Sequence, residues 1–360
     1  MKVFYRSIFI GAFLIYLLGG CSAADEQLVT TPQDSIAVLM QRVVEWQEAN
    51  PNYINDGKYG WGTATYYIGL MSAYSATSEI AYLDLCKHWA AGNDWKLKSD
   101  SRDADDHAAG QVFLEIYQTD PQPKYIANVR SVLDSLLSHP VDGRNDWFWL
   151  DALFMSPPVL GMLGQITEEP AYHMTLHSMW WDVVDYLLNT DDVLFYRDRN
   201  FFDRKNQNGN PIYWSRGNGW ALAGLVRVHR TLNASDPRRS DYEDLLKSIS
   251  SSLVSTQNEY GLWYPNIVDP LSYPLKETSG SSLILYALSY GYNNGILGEE
   301  YKAPIINAWN GISNLIGHDG RLSWVQASAG GPTVVLEDDT YMYGTGAFLL
   351  AASEMIKMDD

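Results

Sequence analysis

In the run Trp147-Phe148-Trp149-Leu150-Asp151-Ala152-Leu153-Phe154-Met155-Ser156-Pro157-Pro158, one carboxylate sits among aromatic and aliphatic side chains. Such surroundings strip hydration from the ionised form and raise the carboxyl pKa. An acid that holds its proton near neutral pH can give it away, which is what general acid catalysis requires. Asp151 also stands where a helix N-cap would stand, ahead of LFMSPPVLGML, and a capping carboxylate accepts from free backbone N–H groups. Polar groups set among Trp, Tyr and Gly recur at ADDHAAGQ, YWSRGNGW and KETSGSS, and that company favours chemistry over capping.

ADDHAAGQ supplies Asp105, Asp106 and His107 at the start of an apolar helix. Acids there also suit the positive end of the helix dipole. If Asp105 converges with Asp151, two carboxylates face one cavity, the equipment of glycoside cleavage. YWSRGNGW places Trp214, Arg216, Asn218 and Trp220 in a Gly-rich turn entering a helix. The Arg fork suits a carboxylate, and the Trp rings, with Trp149, suit sugar faces. Glu277, Thr278 and Ser279 of KETSGSS read first as helix-start capping and also as substrate contacts. Ser279 lacks the G-x-S-x-G setting of a nucleophile. His173 and His177 are four apart, but no third ligand accompanies them, so no metal is expected. Asp203 to Asn210 reads as a polar turn rather than a calcium loop.

To position these groups the chain offers twelve helical stretches, at about 33–49, 63–75, 78–92, 106–119, 122–138, 151–165, 169–188, 218–233, 239–257, 279–294, 299–317 and 343–356. Some are amphipathic, such as PKYIANVRSVLDSLLS. Others, such as TATYYIGLMSAY, GSSLILYALSYGY and GTGAFLLAASEM, are apolar nearly all round and must be buried. Alternating buried and half-buried helices wind into an inner and an outer ring, so the expected fold is all-α, a toroid of six helix pairs. The polar motifs all fall at the N-terminal ends of inner helices and would gather at one rim. Two short stretches, 261–268 and 334–339, carry the alternation of strands.

The 360 residues carry 43 acids against 25 bases, a formal charge of −18, which leaves little to neutralise phosphates and excludes a nucleic-acid partner. The 24 Tyr and 13 Trp point toward carbohydrate. Residues 1–20 read as an export signal, with Lys2 and Arg6 ahead of an apolar run too short to span a membrane. The run ends Leu18-Gly19-Gly20-Cys21, which resembles a bacterial lipobox. The expectation is therefore a lipid anchor on Cys21, a spacer over 21–32, one domain over 33–360, and a place in the bacterial cell envelope with membrane contact only through the anchor. Cys86, the one other cysteine, reads as a small buried residue.

Across ADDHAAGQ, WFWLDALFMSPP, YWSRGNGWA, KETSGSS and YGTGAFLLA, in that order, the chain resembles the unsaturated glucuronyl and rhamnogalacturonyl hydrolases of glycoside hydrolase families 88 and 105. The resemblance implies an (α/α)6 barrel without metal or cofactor. It implies an anionic substrate, an oligosaccharide cut by a lyase and ending in a 4,5-unsaturated uronic acid. By resemblance, Asp151 protonates C4 and then activates water that adds at C5, Asp105 is the second acid, and Trp214, Arg216 and Trp220 contact substrate. Where pectin-directed relatives often carry His, this chain has Arg197. With Arg199, it favours ulvan, whose uronic acid adjoins a 3-sulfated rhamnose, over pectin. A non-catalytic oligosaccharide-binding lipoprotein is the alternative from another class.

Overall fold

A computed structural model describes residues 32–99 and 101–359. The expected leader, Cys21 and most of the spacer lie outside the described residues. The helices are α1 (Pro32–Ala49), α2 (Trp61–Thr77), α3 (Ile80–Gly92), α4 (Ala104–His107), α5 (Ala109–Thr119), α6 (Ala127–Ser138), α7 (Gly143–Asp146), α8 (Ala152–Met155), α9 (Pro157–Thr167), α10 (Pro170–Leu187), α11 (Ser215–His229), α12 (Arg239–Ser255), α13 (Thr278–Asn293), α14 (Lys302–Ser313) and α15 (Met342–Met355).

The inner ring runs α2, α5, α9, α11, α13, α15, each packed on the next, and α15 returns to α2. Outside it, α1 packs on α15, α3 on α2 and α5, α10 on α6 and α9, α12 on α11, and α14 on α13. The result is an (α/α)6 barrel. Its logic is visible residue by residue. The outer helix α6 buries only Val129, Val132, Leu133 and Leu136, the stripe of an amphipathic helix. The inner helix α13 is buried from Thr278 to Gly291. The ring closes through glycine: a Cβ on Gly69 of α2 would meet the Gly346 carbonyl oxygen at 2.5 Å, and one on Gly346 of α15 would meet the Thr65 carbonyl oxygen at 2.2 Å. Only backbones without side chains approach so closely.

All twelve expected helices occur, with local revisions. The stretch at 106–119 breaks at Ala108 into α4 and α5, and the stretch at 151–165 breaks at Ser156 into α8 and α9, where Pro157 offers no N–H to continue the first helix. A short helix, α7, was not foreseen. Neither 261–268 nor 334–339 forms a regular strand. Their backbone groups bond to loops and to a helix side chain instead: Ile267 N donates to Tyr213 O, Trp263 N to Ser281 Oγ of α13, and Glu337 O accepts from Trp324 N. Among the described residues the regular strands are β1 (Leu188–Asn189) and β2 (Leu194–Phe195), an antiparallel hairpin.

Candidate active site

The starts of α2, α4, α8 and α11 meet at one rim, where Trp61, Asp105, Trp149, Asp151, Trp214 and Arg216 line a single cavity of about 230 Å³ with Met155, Arg197 and Ser328 to Gly330. Asp151 does not cap α8. Its backbone is already helical (φ −61, ψ −28) and its side chain accepts no cap hydrogen bond, so the capping account of this residue fails and the carboxylate is left to the cavity. Its side chain is 14 % exposed, and Oδ2 is buried without a hydrogen-bond partner.

The cap of α4 is Asp103, which accepts from Asp105 N at 3.0 Å. That frees Asp105 for the cavity. Asp106 turns away: it accepts from Ser101 Oγ (2.8 Å) and Ser99 Oγ (2.5 Å) and pairs with Lys98. His107 is buried, with Nδ1 bonded to Ser156 Oγ at 2.8 Å and Nε2 to the Ser101 carbonyl at 3.0 Å. It fastens α4 to the α8–α9 break rather than facing substrate.

Arg216 is 1 % exposed. Its Nη1 donates to the Gln326 carbonyl at 2.5 Å and Nη2 to the Ala327 carbonyl at 2.9 Å, and the guanidinium lies 4.6 Å from the Trp214 ring centroid and 5.1 Å from that of Tyr343. Trp214 is held in turn by its Nε1, which donates to Gln326 Oε1 at 2.8 Å. Five other expected contacts prove to be supports. Trp220 lies behind the wall, against Trp61 and Phe154. Asn218 is spent on the hairpin, accepting from Phe195 N and donating to Phe195 O. Glu277, Thr278 and Ser279 do not reach the cavity: Glu277 caps α13 by accepting from Ser279 N and Gly280 N, Thr278 Oγ1 donates to Ser323 O, and Ser279 Oγ donates to Glu277. Together they anchor the loop that carries Gln326.

The hairpin delivers Arg197, whose carbonyl accepts from Leu150 N at 2.8 Å. Its Nη1 pairs with Asp198 at 2.6 Å and its Nε lies 3.6 Å from Asp151 Oδ2. Arg199 is exposed and lies off the cavity wall. Burial raises the Asp151 pKa, and the charges of Arg197 and Arg216 oppose that rise. Burial, followed by the charge of Asp151, pushes Asp105 up to about 8. Two carboxyls in one small cavity titrate as a pair, and near neutrality the pair retains a proton. Such a pair can donate a proton and then take one back.

Trp61, Met155, Gln326 and Ser328 to Gly330 escaped the sequence reading. Gly60-Trp61-Gly62 at the head of an inner helix repeats the signature of YWSRGNGW and could have been found. The Ser328 loop carries no such signal. His177 bonds Tyr242 Oη at 2.7 Å, and Cys86 is a free, buried thiol.

The model of Glycosyl Hydrolase Family 88 matches residues 36–359. The chain belongs to that family. This family 88 member is thus a glycoside hydrolase. It is 32% identical over 345 residues, 90% of its own chain and 91% of the other, to a protein of Formosa agariphila named unsaturated 3S-rhamnoglycuronyl hydrolase. It is 25% identical over 313 residues, 82% and 86% of the two chains, to the unsaturated rhamnogalacturonyl hydrolase YesR of Bacillus subtilis. Among solved structures, a glycosyl hydrolase family 88 protein from Bacteroides vulgatus superposes with a TM-score of 0.83 at 28% identity, covering 90% of this chain and 99% of that one. Another, titled a polysaccharide lyase, gives 0.84 at 31% identity, covering 91% and 98%.

Proposed function

We propose that this glycoside hydrolase removes the 4,5-unsaturated uronic acid from the non-reducing end of lyase-made oligosaccharides. The observation that carries the reading is the uncapped Asp151 carboxyl, standing with Asp105 in a cavity walled by three Trp rings and two Arg. Protonated Asp151 gives its proton to C4 of the C4=C5 bond, leaving the positive charge on C5 and the ring oxygen. Water adds at C5 and loses a proton to the Asp151 carboxylate, which restores the acid. The hemiketal so formed opens, the C1–O bond to the neighbouring sugar breaks, and the shortened oligosaccharide leaves with a new hydroxyl. Arg216, clamped by two carbonyls and stacked between aromatic rings, faces the uronate carboxylate. Asp105 is the second carboxyl of the pair, and its raised pKa keeps the pair singly protonated near neutral pH.

The preferred substrate is an ulvan fragment, an unsaturated glucuronyl unit on 3-sulfated rhamnose. The Formosa relative, and an Alteromonas relative also 32% identical, carry names of that specificity, while the pectin-type name belongs to the 25% relative. One assay separates the readings. The conjugated double bond absorbs in the ultraviolet, so a hydrolase acting on lyase-made ulvan oligosaccharides makes absorbance fall, while a lyase acting on intact polymer makes it rise. No fall on ulvan fragments with a fall on pectic ones would transfer the enzyme to the rhamnogalacturonyl class.

The reading extends to the cell envelope: a Cys21 acyl anchor holds the barrel at a membrane surface. The lipobox-like Leu18-Gly19-Gly20-Cys21 run supports it. No described helix is long and apolar enough to cross a membrane.

A further inference from the structure

Through Ala329 and Gly330 the catalytic cavity adjoins a second and larger hollow of about 770 Å³. One wall is the turn that follows Phe201, bearing Arg204 and Lys205, and the floor includes Ser272 and Tyr273. In a chain with 43 acids and 25 bases, these two cations make no ion pair among the described residues, although most of the other bases do. Arg204 lies over the Phe201 ring at 5.3 Å, a contact that leaves its charge unneutralised.

Of the nearby acids, Asp203 is exposed, lies off the lining of the hollow and makes no ion pair with either cation among the described residues, and Asp269 is engaged elsewhere. Asp269 is 1 % exposed and accepts from Ser272 Oγ (2.8 Å), from Asn208 Nδ2 (2.8 Å) and from Asn206 Nδ2; burial works to raise its pKa, but the bonds from Asn208 and Ser272 hold it below the usual carboxylate range. The same bonds tie the turn to the floor. Asn206 Oδ1 also accepts from Asn208 N and Asn210 N, and Gly209 takes a positive φ, so the turn is pre-shaped. A braced turn presenting two unneutralised cations beside a catalytic cavity is an anion seat.

We propose that Arg204 and Lys205 form the specificity subsite for an anionic substituent on the leaving oligosaccharide, and that this substituent is the sulfate ester of the sugar next to the cleaved bond. The proposal rests on the hydrolase reading above and relocates the sulfate contact expected at Arg197 and Arg199. Arg197 is paired with Asp198 and stands beside Asp151, and Arg199 lies off the cavity wall.

The test compares wild type, Arg204→Ala, Lys205→Ala and the double variant on three substrates: the sulfated unsaturated disaccharide, its desulfated form, and a desulfated tetrasaccharide that retains an internal uronate. The expected result is a collapse of the sulfated-to-desulfated kcat/KM ratio toward one in the double variant, by about ten- to hundredfold, with the loss in KM rather than kcat. Arg204→Lys should restore part of the ratio. The wild-type preference should also weaken with added salt. A double variant that loses equally on both disaccharides, or on neither, overturns the subsite. A loss confined to the tetrasaccharide overturns the sulfate assignment and gives the seat to a uronate carboxylate. Failure of wild type to bleach any of the three substrates would instead overturn the hydrolase reading.

Discussion

Asp151 Oδ2 and Arg197 Nε stand 3.6 Å apart, and neither atom has a hydrogen-bond partner. The pair is close enough for its charge to count and too far apart to lock. Burial raises the acid and the guanidinium restrains the rise, which leaves Asp151 between a permanent carboxylate and a permanent acid.

Arg197→Ala removes that restraint, so the Asp151 pKa rises. The first step consumes the protonated form, and kcat/KM falls as pH climbs through this pKa. The alkaline limb of the kcat/KM profile should therefore move upward, the direction expected when a neighbouring opposite charge is removed. An unmoved limb, or one displaced to lower pH, would contradict the assignment.

Asp151→Asn keeps the shape and removes the proton. Turnover should drop at least about a hundredfold, the scale of general acid–base catalysis, while substrate analogues bind as before. Retention of more than about a tenth of the wild-type rate would end the argument for this residue.

Asp105 makes a stability statement as well as a catalytic one. Its pKa in the folded chain, about 8, lies above the ordinary 3.8, so its contribution is fully present below 3.8 and is lost as pH rises to about 8. Asp105→Asn is spared that loss. Its Tm relative to wild type should climb across this window and level off beyond it, even as activity falls. A Tm difference that is flat with pH would show that the carboxyl is not held neutral by its site.

Cys21→Ser should release the protein from the membrane fraction or block its processing, and the wild-type N-terminus should carry acyl chains by mass spectrometry. A wholly soluble wild type with an unmodified N-terminus would remove the anchor from the account.

The ring architecture was legible because burial pattern and helical period agree along most of the chain, as the stripe of α6 and the wholly buried α13 show. The site was legible to the level of its rim. Polar motifs at inner helix starts mark where groups gather, but not which way each one points. In ADDH, successive helical residues point in different directions, so Asp105 reaches the cavity and Asp106 reaches Ser99 and Ser101. Asn218 and Glu277 share the look of binding residues, yet backbone N–H groups at the hairpin and at the start of α13 claim their oxygens. The strands expected at 261–268 and 334–339 have the right alternation, but among the described residues no strand runs beside either, and Asn266 makes only an isolated bridge to Trp214. Arg204 and Lys205 passed as an ordinary turn because only the fold sets that turn beside the cavity.

The glycine contact between α2 and α15 makes the site depend on both ends of the chain. Asp105 and Asp151 both lie in the first half of the chain, but the ring that gathers them shuts only when Gly346 settles against Thr65 and Gly69. A chain short of α15 holds both acids and has no finished wall, since Tyr343, which packs on Trp61 and donates to the Gln326 carbonyl, belongs to that helix. Contacts between such distant parts of a sequence form slowly and late. The two acids are thus necessary for the site and not sufficient for it: the far end of the chain has to close the ring before they share a finished cavity.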